Sequence, residues 1–362
     1  MKKALIFTTS MGHFSLAKAV EERLKKAGWK TKIHFSRFGP ELTSYRYLAN
    51  FLSPIWRWWF KFSQSNFVIK ISRFWLSWRK KEEIKKAINE FKPNLVVSTY
   101  FIYNWNLANL KDKFHYQFLN LVADPRTIHR ATVSAKADFN LVYDQAAVEL
   151  LKNWQIEEEK IVPIGWMVGE KFYRADRENG KDDFFSILVG AGSWGALSTL
   201  KVLPVFLNLP QKTRLILVAG DNKLLYQIYR LFKFGIERKI LKPKQELAIS
   251  VFKFSRKMDQ LLRQVDLVIG KAGPNFLFEA VAAGKPFLAV SWVPGQEEGN
   301  LEIIEEKKLG WVVKDRRLLP DLLKKIMTEK DFYQSALENI RKEREINRRA
   351  GEKIIRLLAD LS

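Results

Sequence analysis

The chain has 362 residues, with 62 Lys and Arg against 39 Asp and Glu, a formal charge of +23 and no cysteine. The length exceeds one ordinary small domain and fits two of Rossmann size, and the charge calls for an anionic partner. Without cysteine there is no disulfide, no thiolate metal site and no Cys nucleophile, which suits a reducing cytoplasm.

The opening apolar run stops at Thr8-Thr9, too short for a signal-peptide core, and reads as a first strand. Apolar, β-rich runs recur at Ala4–Thr8, Lys32–Phe35, Leu95–Thr99, Gln117–Val122 and Phe139–Val142. A second series follows at Phe185–Val189, Arg214–Val218, Leu247–Phe252, Leu267–Ile269 and Phe287–Val290. Helical patterns lie between them. In the first, Ser15 caps a helix whose Leu16, Val20 and Leu24 share a face and which Gly28 closes. Continuous apolar strands alternating with helices predict two doubly wound α/β domains with parallel sheets, 1–164 and 165–362, parted near Pro163–Phe172. The charged tail 331–362 reads as helical, either packing back across both domains or lying solvated.

One segment leaves this pattern. Between Glu41 and Glu82 there is no acidic residue, while Trp56, Arg57, Trp58, Trp59, Lys61, Arg73, Trp75 and Trp78 crowd together within about 45–81. Trp and Phe bury in the headgroup–acyl boundary, and each Lys or Arg near an anionic surface contributes about 1 kcal/mol. The segment is predicted to contact a membrane. Two other readings are that the aromatics pack on their own domain, or that they stack RNA bases. No RNP or KH motif supports RNA. No apolar stretch of spanning length is present.

Three motifs carry chemistry. Thr9-Ser10-Met11-Gly12-His13 joins the first strand to the first helix, where doubly wound folds place ligands, and His13 is a candidate general base. Gly190-Ala191-Gly192-Ser193-Trp194-Gly195 follows the strand at Phe185, and its backbone N–H groups suit phosphates, with Gly192, Ser193 and Gly195 the candidates. The third and most informative motif begins at Asp266 and runs through Lys271-Ala272-Gly273-Pro274 to Glu279, then to Pro294-Gly295-Gln296-Glu297-Glu298-Gly299-Asn300. Gly273 turns the chain and Pro274 suits a first helical position. Glu279 is placed to accept from both hydroxyls of a ribose, and Gln296 and Asn300 suit sugar hydroxyls. Read instead as bare structure, these are caps, turns and a solvated helix charge.

The run Lys271–Pro274, Glu279-Ala280, Gly284 and Pro294 to Asn300 resembles the donor-binding signature of monogalactosyldiacylglycerol synthases and processive diacylglycerol glucosyltransferases, which are similar to the enzymes that glycosylate the peptidoglycan lipid intermediate. Gly12-His13, Pro93–Thr99, Ala123-Asp124-Pro125-Arg126-Thr127-Ile128-His129 and Gly165–Val168 match the family's other motifs in order. The resemblance implies a GT-B fold: two Rossmann-like domains facing a cleft, with the C-terminal helix free to cross back. It implies an inverting transfer of a hexose, without catalytic metal or permanently bound cofactor, from a UDP-sugar (UDP-glucose or UDP-galactose) to a lipid hydroxyl of diacylglycerol type.

The donor is expected on Gly192, Ser193, Gly195, Phe254, Lys271, Gly273, Pro274, Glu279, Gln296, Glu297 and Asn300. His13 or Asp124 is expected to take the acceptor's proton, and Arg126 and His129 to hold the acceptor or its headgroup. Asn275-Phe276 replace the family's small residue and Thr, which predicts a reshaped donor pocket. The expected partners are nucleotide-sugar, lipid acceptor and an anionic membrane surface at the cytoplasmic face, with no nucleic acid. Open alternatives are a non-catalytic membrane- or RNA-associated binding protein on the same scaffold and a glycosyltransferase with a non-lipid acceptor.

Overall fold

The computed structural model describes residues 1–10, 12–36, 53–174, 183–192 and 197–360, with only the backbone described at 53–55, 66 and 72–79. Ser193, Gly195 and the stretch 37–52 therefore lie outside the described residues, as do the side chains of Arg73, Trp75 and Trp78.

The apolar runs form two sheets, each of six parallel strands. The first is ordered β2-β1-β3-β4-β5-β6: β1 Lys3–Thr8, β2 Lys30–Phe35, β3 Leu95–Ser98, β4 Gln117–Leu121, β5 Phe139–Val142 and β6 Ile161–Pro163. The second is ordered β12-β11-β10-β7-β8-β9: β7 Phe185–Gly190, β8 Thr213–Val218, β9 Leu247–Phe252, β10 Leu267–Lys271, β11 Phe287–Ser291 and β12 Gly310–Val312. Strands β6 and β12 escape the sequence pattern because three residues carry no period. Pro163 does not merely break the chain there; it closes β6 at a sheet edge, where a missing N–H is tolerated.

Two compact units result. One comprises Met1–Glu170, Val293–Gly299 and Ile346–Ser362, and the other Lys171–Trp292 and Asn300–Glu345. In the first unit the helix Gly12–Lys26 begins earlier than its sequence suggests, so Ser15 lies inside the first turn and does not cap it. Gly28 closes the helix at φ 81°. The terminal helix Ala350–Asp360 packs on this helix, with Gly351 against the stem of Arg23. Asn347 accepts the Trp166 N–H at 2.7 Å, where Gly165 turns at φ 89°.

Each sheet reverses its direction of winding once, between β1 and β3 and between β7 and β10. Open α/β sheets bind ligands beyond the carboxyl ends of strands at such reversals. At the second, Gly190 and Gly270 sit side by side on paired strands, and the ring of Phe276 lies over both. The residue expected to reshape a pocket is thus laid down on the sheet.

This geometry separates two substitutions. The three atoms nearest a Cβ at Gly190 all belong to the Phe276 ring, whereas the atom nearest one at Gly270 is the Gly190 carbonyl oxygen at 2.5 Å. Gly190→Ala should cost roughly 1–3 kcal/mol, with Phe276→Leu recovering much of it. The same second substitution should recover little of Gly270→Ala. Equal recovery in denaturant melts of both pairs would refute this packing.

Candidate active site

In the first unit, the loop after β1 places His13 second in its helix, beside the carboxyl end of β3. Its Nδ1 lies 2.6 Å from the Thr99 carbonyl oxygen. A carbonyl only accepts, so Nδ1 carries the proton and Nε2 keeps its lone pair. Burial pushes the imidazole down to about 4, against this hydrogen bond. His13 is therefore a neutral base at physiological pH. The Tyr100 ring, 4.8 Å away by centroids, packs on it.

Asp124 follows β4. Burial first, and then the charge of Glu297, push its carboxyl up to about 7, against a hydrogen bond from the Gln296 side chain. Gln296 and Glu297 thus stand with Asp124 in the first unit, on the short segment that the chain contributes from far downstream. Glu297 is buried and closes its own turn, accepting the Val293 N–H at 2.7 Å. Gly299 donates to Thr127 Oγ1 at 2.7 Å, and a Cβ there would lie 2.8 Å from the Thr127 nitrogen. Only glycine lets these two loops lie against each other.

Arg126 and His129 both have hydrogen-bond partners within the first unit. Arg126 donates through Nε and Nη2 to Asp144 Oδ2 at 3.2 and 3.0 Å, and Asp144 also caps the helix Gln145–Asn153. His129 Nδ1 accepts the Ala131 N–H at 3.1 Å, so in the neutral ring Nε2 donates to Ser63 Oγ, 3.0 Å away. Burial pushes His129 down to about 4, which keeps it neutral.

Ser63 follows the helix Ser53–Phe62, so His129 fastens the aromatic segment to the sheet. In this helix Pro54 lies in the first turn, where it suits the start of a helix. Phe60 is buried against the His129 ring. Trp56 is half-buried, while Arg57, Trp58, Trp59, Lys61, Phe62 and Phe67 are exposed. The rings of Trp58 and Phe62 stack with centroids 5.2 Å apart. Gly295, at φ 83°, brings its backbone against Arg57: a Cβ would lie 3.3 Å from the Arg57 Cα.

In the second unit, Gly192, Lys271 and Gly273 lie at or just past the ends of the two strands that flank its own reversal. Gly192 follows β7 at φ 70°, a conformation that favours glycine, and the Lys271 stem lies beside it. Gly273 caps the helix Pro274–Ala282 with no side-chain bond, which leaves the first-turn N–H groups facing outward. Asn300 is buried and donates to the Ala272 carbonyl at 2.7 Å, steadying the turn before this helix. Phe254, just past β9, exposes its ring.

Glu279 projects from the helix Pro274–Ala282. Burial pushes it up to about 7, Lys171 opposes that shift, and Asp259 adds to it. Sequence reasoning missed Lys171 and Asp259, which lie far from the motif. Lys171 Nζ and Arg263 Nη1 approach the two Asp259 oxygens at 3.4 and 3.5 Å.

Residues 15–168 match the monogalactosyldiacylglycerol (MGDG) synthase family, and residues 186–354 match the Glycosyltransferase family 28 C-terminal domain. The chain is 24% identical over 334 residues to a processive diacylglycerol beta-glucosyltransferase of Bacillus cereus (strain AH187), covering 86% of this chain and 82% of that one. It is 21% identical over 340 residues to the chloroplastic monogalactosyldiacylglycerol synthase 2 of Arabidopsis thaliana, covering 84% and 69%. Among solved structures, Acinetobacter baumannii MurG superposes with a TM-score of 0.65 at 15% identity, covering 99% of this chain and 100% of that one. Anabaena Alr3699/HepE in complex with UDP and glucose superposes at 0.54 with 14% identity, covering 98% and 99%. The fold is GT-B.

A raised carboxyl pKa means that the folded state holds the proton more tightly than the unfolded chain does, so stability falls as pH rises from the ordinary value of 4.5 through about 7. Glu279→Gln should therefore raise Tm at pH 8, with the difference shrinking toward pH 4.5. A pH-independent difference would rule out the buried, raised carboxyl.

Proposed function

We propose that this chain moves glucose or galactose from the UDP-sugar to a hydroxyl of a diacylglycerol-type lipid at an anionic membrane surface, a reading supported by its matches to the MGDG synthase family and the Glycosyltransferase family 28 C-terminal domain. The observation that carries this reading is Glu279, a partly desolvated carboxyl beside an uncapped helix start at the reversal of the second sheet. A nucleoside diphosphate needs both groups at once. The ribose hydroxyls donate to the carboxylate, and the diphosphate accepts from helix N–H groups and from the backbone around Gly192. The exposed Phe254 ring suits the uracil base. Fixed dipoles of this kind also stabilise the departing diphosphate.

Inversion needs one base on the attacking side. His13 is a base that stays neutral at physiological pH and Asp124 one that ionises near neutrality, and both stand in the first unit. Gln296 and Glu297 act through Asp124 in this reading: one donates to the carboxylate, and the other opposes its charge. The lipid's route to this base is supported by the exposed Trp58, Trp59 and Phe62 with Arg57 and Lys61, fastened to the same unit through His129. Among the described residues no helix is long and apolar enough to cross a membrane, so attachment here is by surface burial.

Labelled UDP-glucose and UDP-galactose, offered with diacylglycerol vesicles, should give labelled lipid from one of them; label in neither sinks the assignment. Glu279→Ala should raise the donor KM roughly tenfold to a hundredfold, the loss of hydrogen bonds to a charged group, with a smaller change in kcat. The pH profile names the base. If Asp124 serves, kcat/KM in a Glu279→Gln background climbs as pH rises through about 7, because only the ionised carboxylate accepts a proton. If His13 serves, the rate is flat there and falls only toward about 4.

A further inference from the structure

The donor chemistry leaves the outer face of the helix Lys223–Glu237 unused. The inner face buries Leu225 and Tyr229 in the core of the second unit. On the outside, Leu224, Leu231 and Phe234 are 61%, 68% and 48% exposed, and Ile240, just past the helix end, is 69% exposed. Positions 224, 231 and 234 share one side of the helix at 3.6 residues per turn. Lys223, Arg230, Arg238, Lys239, Lys242 and Lys244 are exposed around them. From Lys223 to Lys244 the sequence holds a single acid, Glu237, which lies 3.4 Å from Lys233. Single exposed apolar residues are ordinary; a contiguous apolar row rimmed by cations marks an interaction surface.

We propose that this face is a second membrane-docking surface, which seats Leu224, Leu231, Phe234 and Ile240 in the headgroup–acyl boundary of an anionic bilayer. Charge decides the occupant. A second copy of the chain would meet this patch with the same patch, since a two-fold interface is self-complementary, and rows of Lys and Arg would face each other with one acid to offset them. Nucleic acid calls for stacking platforms, and three of the four exposed apolar side chains are aliphatic. An anionic lipid surface satisfies both the apolar row and the cations. The inference rests on the lipid-acceptor reading, because it gives an enzyme of membrane substrates a second hold on their surface.

The test uses the full chain and vesicles of phosphatidylglycerol or of phosphatidylcholine. Leu231→Glu/Phe234→Glu changes only exposed positions, so the melting temperature should hold. Partition to phosphatidylglycerol vesicles should fall on the order of tenfold, as burial of two large apolar side chains is lost. Because the chain has no cysteine, Leu231→Cys accepts a single environment-sensitive dye. Its emission should shift to the blue on phosphatidylglycerol and stay put on phosphatidylcholine. Unchanged partition together with an unshifted dye overturns the proposal, as does a dye shift that follows protein concentration without vesicles, the mark of self-association. Transfer to a soluble short-chain diacylglycerol, measured alongside, should be the same in variant and wild type. Failure of the wild type in that assay would count against the lipid-acceptor reading, leaving the vesicle result to judge this surface separately.

Discussion

Parallel strands can be joined only by crossovers, and a sheet wound in both directions must part its loops where the winding reverses. This constraint organises both units. In the first, the parted loops lie between β1 and β3, and a hydrogen bond from His13 to the Thr99 carbonyl spans them. In the second they lie between β7 and β10, where Gly192 lies beside the Lys271 stem ahead of the helix Pro274–Ala282. The paired glycines beneath Phe276 belong to the same constraint: a side chain on either strand would compete with the ring that covers them.

Each unit then holds one carboxyl moved to about neutrality, by burial in the first instance. Their neighbours differ, and so do the tasks proposed for them. A second acid and an amide surround Asp124, which keeps a proton exchangeable. Lys171 stands near Glu279 and favours its ionised form, the form that accepts hydroxyl donors. Titratable groups displaced toward neutrality gather at functional sites more often than in purely structural networks. The Arg126–Asp144 ion pair holds the loop beside Asp124, and Asp144 also caps a helix.

Much of this was legible in the residues. Ten of the strands announce themselves as apolar runs, and the Gly-Pro step at 273–274 marks its helix. The rest was not, for physical reasons. Three-residue edge strands have no period. Lys171 and Asp259 come to Glu279 through the fold alone, since nothing in their local sequence points there. Gln296 and Glu297 read as sugar-facing because they lie beyond a strand of the second sheet, yet the loop they occupy is bound by Gly299 to Thr127 and joins the first unit. The bond that ties His129 to Ser63, 66 residues upstream, also has no local sequence signal.

The discontinuity of the first unit bears on how such chains can be recombined. A chimera joined at the single crossing near Glu170 would give Asp124 a foreign Gln296 and Glu297, and Arg57 a foreign Gly295. The two units are therefore not free cassettes. Residues 293–299 and the final helix must be inherited with the amino-terminal sheet, so a hybrid that keeps both units whole requires four matched junctions.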